Sequence, residues 1–150
     1  MKSIFIYYSL TGNGDYIAEK LRYDIDKRKV MMKKKMPKRF FFMVLSGGFL
    51  AGLKVKSKLK DFESDVSGYD EVIIGSPIWN GRFSTPINTV LSTVDLTNKE
   101  VTFILYSGSG EAPKTVDVIT KKYPGSKIYI LQEPKKHVDE LEKLGNLLEK

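Results

Sequence analysis

Residues 4–21 read IFIYYSLTGNGDYIAEKL. Five apolar or aromatic residues, Ile4 to Tyr8, run into Ser-Leu-Thr-Gly-Asn-Gly, and Ile17, Ala18 and Leu21 then recur on one helical face. The unbroken apolar run predicts a buried strand over Ser3 to Tyr8, and the change of period predicts a helix over Asp15 to Tyr23. Between them lies a tight turn of hydroxyls and glycines. The first turn of a helix offers unpaired N–H groups and a partial positive charge, so such a turn is suited to hold an anion, often a phosphate.

The alternation continues along the chain. Val30, Met31 and Met32 are the expected second strand, and Phe40 to Leu53 reads as a mostly buried helix weakened by Gly47, Gly48 and Gly52. Glu71 to Gly75, Val101 to Tyr106 and Lys127 to Leu131 read as further strands. Pro86 to Val94, with proline in its first turn, Ala112 to Tyr123 and the amphipathic stretch Pro134 to Glu149 read as helices. Nearly all-apolar strands separated by helices argue for a parallel sheet covered on both faces. The expectation is a single α/β domain over residues 1–150, a three-layer doubly wound five-stranded sheet of order 2-1-3-4-5.

Composition narrows the function. There is no Cys, which excludes disulfides, thiolate catalysis and Cys-based metal or iron–sulfur sites. Met1-Lys2 leads into a short strand-like run rather than an apolar segment with a cleavage site, and Phe40 to Leu53 is too short to span a bilayer, so a cytoplasmic protein is expected. The net charge of +7 is local. Residues 27–60 hold 12 Lys and Arg and no Asp or Glu, against 13 basic and 18 acidic residues elsewhere.

In a doubly wound sheet, ligands sit outside the carboxyl ends of the strands where the strand order reverses. Three loops fall there: Ser9 to Gly14, Ser76 to Gly81, and Ser107 to Gly110. Gly12-Asn13-Gly14 serves either as a plain strand-to-helix turn or as a nest of backbone donors with the Ser9 and Thr11 hydroxyls. It is neither the dinucleotide fingerprint, since Ile17 stands where the third glycine would be, nor a P-loop, since no Gly-Lys-Ser/Thr follows. What remains suits a terminal phosphomonoester. In the second loop, Pro77, Ile78, Trp79, Asn80 and Gly81 include the only tryptophan, which either stacks on a flat ring or covers the end of the core. In the third, Ser107, Gly108, Ser109 and Gly110 offer backbone N–H groups to the polar edge of such a ring. Socket, plate and rim together describe flavin mononucleotide, FMN.

Here the sequence resembles the flavodoxin family. Tyr-Ser-Leu-Thr-Gly-Asn-Gly is similar to its phosphate loop, Gly-Ser-Pro-Ile-Trp-Asn-Gly to its second flavin loop, and Thr85-Pro86-Ile87 to the start of the next helix. Phe40 to Leu53, with Gly-Gly-Phe, resembles a quinone-reductase-like subgroup. The resemblance implies non-covalent FMN, with Ser9, Thr11, Gly12 and Asn13 at the phosphate and Trp79 on the isoalloxazine. It places Asn80 and Gly81 by the reactive nitrogen, where a glycine carbonyl can turn to accept a hydrogen bond, and Ser107 to Gly110 at the pyrimidine edge. No side chain need act as acid or base, because the cofactor carries the redox chemistry.

Two departures stand out. The phosphate loop closes on Gly14 where the family usually has Thr or Ser, and the third loop lacks the family's usual second aromatic plate. Unless Phe83 or Tyr106 reaches in, one flavin face stays open, and a nicotinamide or quinone can then lie parallel to the ring. Two redox roles follow: an NAD(P)H-dependent reductase of quinone-like molecules, or a one-electron carrier docking an acidic redox protein. The alternative is a flavodoxin-shaped partner-binding protein that has lost FMN. The basic segment is a solvated surface, a docking patch for an acidic partner or the extra phosphate of NADPH, or a contact for an anionic membrane; a nucleic-acid module fits worst.

Overall fold

The computed structural model describes residues 1–34, 37, 39 and 56–150. The expected helix over Phe40 to Leu53 lies outside the described residues, as do Lys35, Lys38 and Lys54 of the basic segment. In chain order the elements are β1 (Ser3–Tyr7), α1 (Asn13–Lys20), β2 (Ile25–Lys29), β3 (Glu71–Trp79), β4 (Arg82–Phe83), α2 (Thr85–Thr93), β5 (Glu100–Ser107), α3 (Pro113–Lys122), β6 (Lys127–Gln132) and a closing 3-10 helix (Val138–Leu147).

Five strands pair in parallel in the order β2-β1-β3-β5-β6, which is the predicted 2-1-3-4-5 once the short antiparallel β4 is set aside. Successive side chains of a strand point to opposite faces, and the core divides accordingly. Ile4, Ile6, Val72, Ile74, Phe103 and Leu105 pack with Ile87 and Val90 of α2 and Ile119 of α3. Phe5, Tyr7, Ile73, Ile104 and Tyr106 pack on the other side with Ile17 and Ala18 of α1 and Leu141, Leu144 and Leu147 of the closing helix. This is the three-layer arrangement that the strand composition implies. At the amino ends of the strands the buried Glu71 carboxylate accepts hydrogen bonds from Ser3 Oγ at 2.7 Å and Thr102 Oγ1 at 3.1 Å, so that end is closed by internal polar pairing.

Three expectations need correction. The second strand is Ile25–Lys29, not Val30 to Met32. It lies at the sheet edge with one buried residue, Ile25, and its charged side chains protect an unpaired edge, so its sequence carries no apolar run to find. β3 continues past Gly75 to Trp79 and turns back into β4, so residues 76–79 are strand and only Asn80-Gly81 is turn. The last element is a helix, as expected, but of 3-10 type and shorter, over 138–147 rather than 134–149; Gly145 (φ 54°, ψ −116°) interrupts it. Its buried residues, Leu141, Leu144 and Leu147, recur every third position, which is the 3-10 period.

Candidate functional site

The first loop follows from the need to turn from β1 into α1 within a few residues. Gly12 takes φ 94°, a left-handed conformation that costs a side-chain-bearing residue about 1–2 kcal/mol, and its carbonyl accepts the first helical bond from Tyr16 N–H at 2.9 Å. Ser9 Oγ accepts from Asp15 N–H at 3.2 Å, which leaves its own hydroxyl proton free. Asn13 Nδ2 donates to Thr11 Oγ1 at 3.3 Å. Among the described residues nothing accepts from the backbone N–H groups of Thr11, Gly12, Asn13 or Gly14. Four successive unsatisfied donors at a helix start, flanked by two hydroxyls, form a donor set for a phosphate-like anion.

Gly14 lies inside α1 and is buried. A Cβ there would stand 2.7 Å from Tyr106 Oη and 3.0 Å from both Ser9 Cβ and Tyr7 Cδ2. The room a Thr or Ser would need is taken by the Tyr106 phenol, which donates to the Tyr8 carbonyl. The loop has therefore exchanged a hydroxyl at position 14 for a buried phenol that braces its underside. Burial pushes the Tyr106 phenol well above its ordinary value, with Tyr7, Asp15 and Tyr8 adding to the shift. The Tyr7 phenol is raised to about 12, by burial first and then by Asp15, to whose Oδ1 it donates at 3.3 Å.

Beside this loop opens a cavity of about 330 Å3, within the roughly 300–1,000 Å3 range of small-molecule sites. The structure brings together on its walls Leu10, Thr11 and Asn13 of the first loop, Pro77, Ile78 and Trp79 of β3, and Tyr106, Ser107 and Gly108 at the end of β5. Ser9, Gly12 and Gly14 adjoin through the first loop. Three further lining residues, Glu133, Lys135 and Lys136, come from the turn after β6. The sequence reading missed them because that turn carries no glycine-rich signature; its position at the carboxyl end of a parallel strand was the available signal.

Trp79 stands in a strand, not in a loop, and is 8% exposed. It packs edge-on to Tyr8, with ring centroids 5.8 Å apart at 84°. Trp79 lines the cavity with the small part it leaves exposed and packs the remainder in the core cluster. Phe83 is buried near Phe103, and Tyr106 is 3% exposed beneath the first loop, so neither ring projects over the cavity. Asn80 (φ 48°) and Gly81 (φ 76°) make the two-residue turn between β3 and β4. The Gly81 carbonyl already accepts from the buried Thr115 Oγ1 at 2.8 Å, which holds it toward α3. In the third loop, Ser107 Oγ accepts from Gly110 N–H at 3.0 Å and donates to Glu111 O at 3.1 Å, and Ser109 Oγ accepts from Glu111 N–H at 3.2 Å. These hydroxyls shape the loop from within, while a Cβ at Gly108 would meet nothing within 4 Å, leaving that backbone approachable.

Part of the basic segment is tied down locally. Lys27 Nζ donates to Arg22 O, Arg28 to the carbonyls of Glu63 and Asp65, and Lys29 pairs with Asp15 at 2.8 Å. Among the described residues no helix is long and apolar enough to cross a membrane, and no cluster of His, Asp and Glu could hold a metal ion.

Comparison with known proteins agrees with this architecture. Similar solved structures include a candidate flavoprotein from Bacteroides eggerthii, 23% identical over 94% of this chain and 96% of that one, with a TM-score of 0.67. A flavoprotein from Lactobacillus acidophilus in complex with FMN is 20% identical over 92% and 97%, with a TM-score of 0.60. An NADH:FMN oxidoreductase in its apo form is 14% identical over 98% and 86%, with a TM-score of 0.51. At these identities the likeness is one of fold. No curated protein sequence matches the chain. The family model for flavodoxin, however, matches residues 51–141, a region that carries the second and third loops but begins after the first. That match takes in more than half of the 150 residues, and the chain belongs to the flavodoxin family.

Proposed function

We propose that the protein binds FMN non-covalently at the carboxyl ends of β1, β3 and β5 and works as a redox protein. The observation that carries this reading is the run of four unsatisfied backbone donors, Thr11 to Gly14, beside the cavity of a flavodoxin-family chain. The residues fit the group at both ends. The first loop offers donors and the Ser9 and Thr11 hydroxyls to a phosphate, and Pro77, Ile78, Trp79, Ser107 and Gly108 offer an apolar wall and an open backbone to a flat ring. When bound, FMN supplies a reversible store for one or two electrons. The protein's part would be to bind, orient and shield: the first-loop backbone would hold the phosphate and β3 would seat the ring, while Thr115 fixes the neighbouring Asn80-Gly81 turn.

Hydride exchange with a nicotinamide or quinone-like molecule is favoured over pure electron carriage by one observation: among the described residues the two candidate second plates, Phe83 and Tyr106, are both buried, which leaves room for a second flat ring on that side. The test is a titration of the flavin-free protein with FMN, followed by quenching of flavin and Trp79 fluorescence. Saturation at one equivalent with micromolar or tighter affinity is expected, followed by reduction on mixing with NADH or NADPH. Absence of saturation at high micromolar FMN would instead mark a partner-binding protein on a flavodoxin scaffold.

A further inference from the structure

The turn after β6 brings a cation to the first loop. The Lys135 backbone N–H donates to Asn13 Oδ1 at 3.0 Å, and Glu133 N–H donates to Ser107 O at 3.1 Å, so this turn is pinned to both the first and the third loop. The Lys135 side chain then lies across Gly12: a Cβ at Gly12 would stand 3.1 Å from Nζ and 3.5 Å from Cδ. Lys136, next in sequence, is paired with Glu133 at 2.9 Å. Lys135 makes no ion pair among the described residues, although it sits beside four backbone donors that have no acceptor either. A flexible ammonium that forms no ion pair among the described residues and lies across Gly12 of the donor nest is placed to neutralise a doubly charged phosphate.

We propose that Lys135 is the charged ligand of the flavin phosphate, which adds an ion pair to a loop otherwise built from neutral donors. This rests on the FMN reading above and deepens it. It makes the phosphate a source of selectivity: FMN binds more tightly than riboflavin, which lacks the phosphate. Because Lys135 is exposed, the added attraction weakens as salt rises.

The test uses the full flavin-free chain, with FMN and riboflavin titrated calorimetrically into the wild type, Lys135→Met and Lys121→Met at low and high salt. Lys135→Met is expected to weaken FMN binding about tenfold at low salt, the size of one charge-assisted hydrogen bond. Riboflavin affinity should be unchanged, and the salt dependence of FMN binding should flatten. Lys121→Met, an exposed lysine on α3 paired with Asp117 and outside the cavity lining, should behave as wild type. If the wild type binds FMN and Lys135→Met binds it equally well, the proposal is overturned while the FMN reading stands. It is overturned in the same way if Lys135→Met weakens both flavins alike, because the residue then acts on loop shape. If the wild type binds neither flavin, the FMN reading itself falls, and this proposal with it.

Discussion

At the scale of single residues, Gly14 is the position where sequence and structure speak differently. By sequence, a glycine at the close of a phosphate loop is a lost hydroxyl. In the structure it is the space through which the Tyr106 phenol reaches the Tyr8 carbonyl. Restoring the hydroxyl should therefore harm the fold. Gly14→Ser is expected to destabilise by about 1–3 kcal/mol, the usual cost of overpacking, measured as a lower urea midpoint at unchanged slope. Removing the clashing oxygen with Tyr106→Phe should relieve part of that penalty, giving a coupling of about 0.5–3 kcal/mol between the two sites. A Gly14→Ser penalty of the same size in both backgrounds would show that Tyr106 is not what excludes the side chain. Ser-Leu-Thr-Gly-Asn-Gly was legible as a turn rich in backbone donors because those donors are consecutive in the chain. Tyr106 and Lys135 were not, since each reaches that turn from a distant strand end through packing that no local period encodes.

At the scale of elements, legibility follows burial. β1, β3 and β5 are enclosed on both sides, and their apolar runs announce them. β2 is a charged edge strand with no apolar run of its own, whereas Val30 to Met32, just after it, carries the strand-like composition. The β3–β4 hairpin was readable in principle: Asn-Gly supplies two residues with positive φ, the combination a two-residue hairpin needs. Ser76 Oγ bridges the base of this hairpin by accepting from Ser84 N–H, and its turn is held by Thr115, whose hydroxyl donates to the Gly81 carbonyl from within the core. Thr115→Val preserves shape and deletes that bond, so a loss of about 0.5–1.5 kcal/mol is expected. Amide hydrogen exchange should quicken in residues 78–83 while β1 and β5 keep their protection. Uniform loss of protection across the sheet would mean that Thr115 serves the core as a whole, not the hairpin.

At the scale of the whole molecule, the ionisable groups that folding perturbs are unequally placed. Asp24, Asp65 and Asp95 are held below the usual carboxylate range by hydrogen bonds from Arg22, Ser67 and Thr97, but all three are exposed. Their contribution is present above the ordinary carboxyl value and fades as pH falls through the lowered one, and at the surface it is small. The phenols of Tyr7 and Tyr106 are buried and raised, Tyr7 to about 12. A raised phenol stabilises the fold fully below its unfolded value of about 10 and loses that contribution as pH climbs through the folded value. The protein should therefore tolerate acid better than alkali, with stability falling from about pH 10 upward by up to about 1.4 kcal/mol per pH unit for each of the two phenols. Tyr106→Phe separates the two effects of that residue. Below pH 9 the variant should be less stable by about 1–3 kcal/mol, because the Tyr8 carbonyl loses its donor. Above about pH 10 its urea midpoint should fall less steeply than the wild type's, because one titrating phenol is gone. Parallel alkaline slopes for the two proteins would assign the limb to Tyr7 and the remaining tyrosines, and would mean that the Tyr106 phenol keeps its proton until the sheet around it has opened.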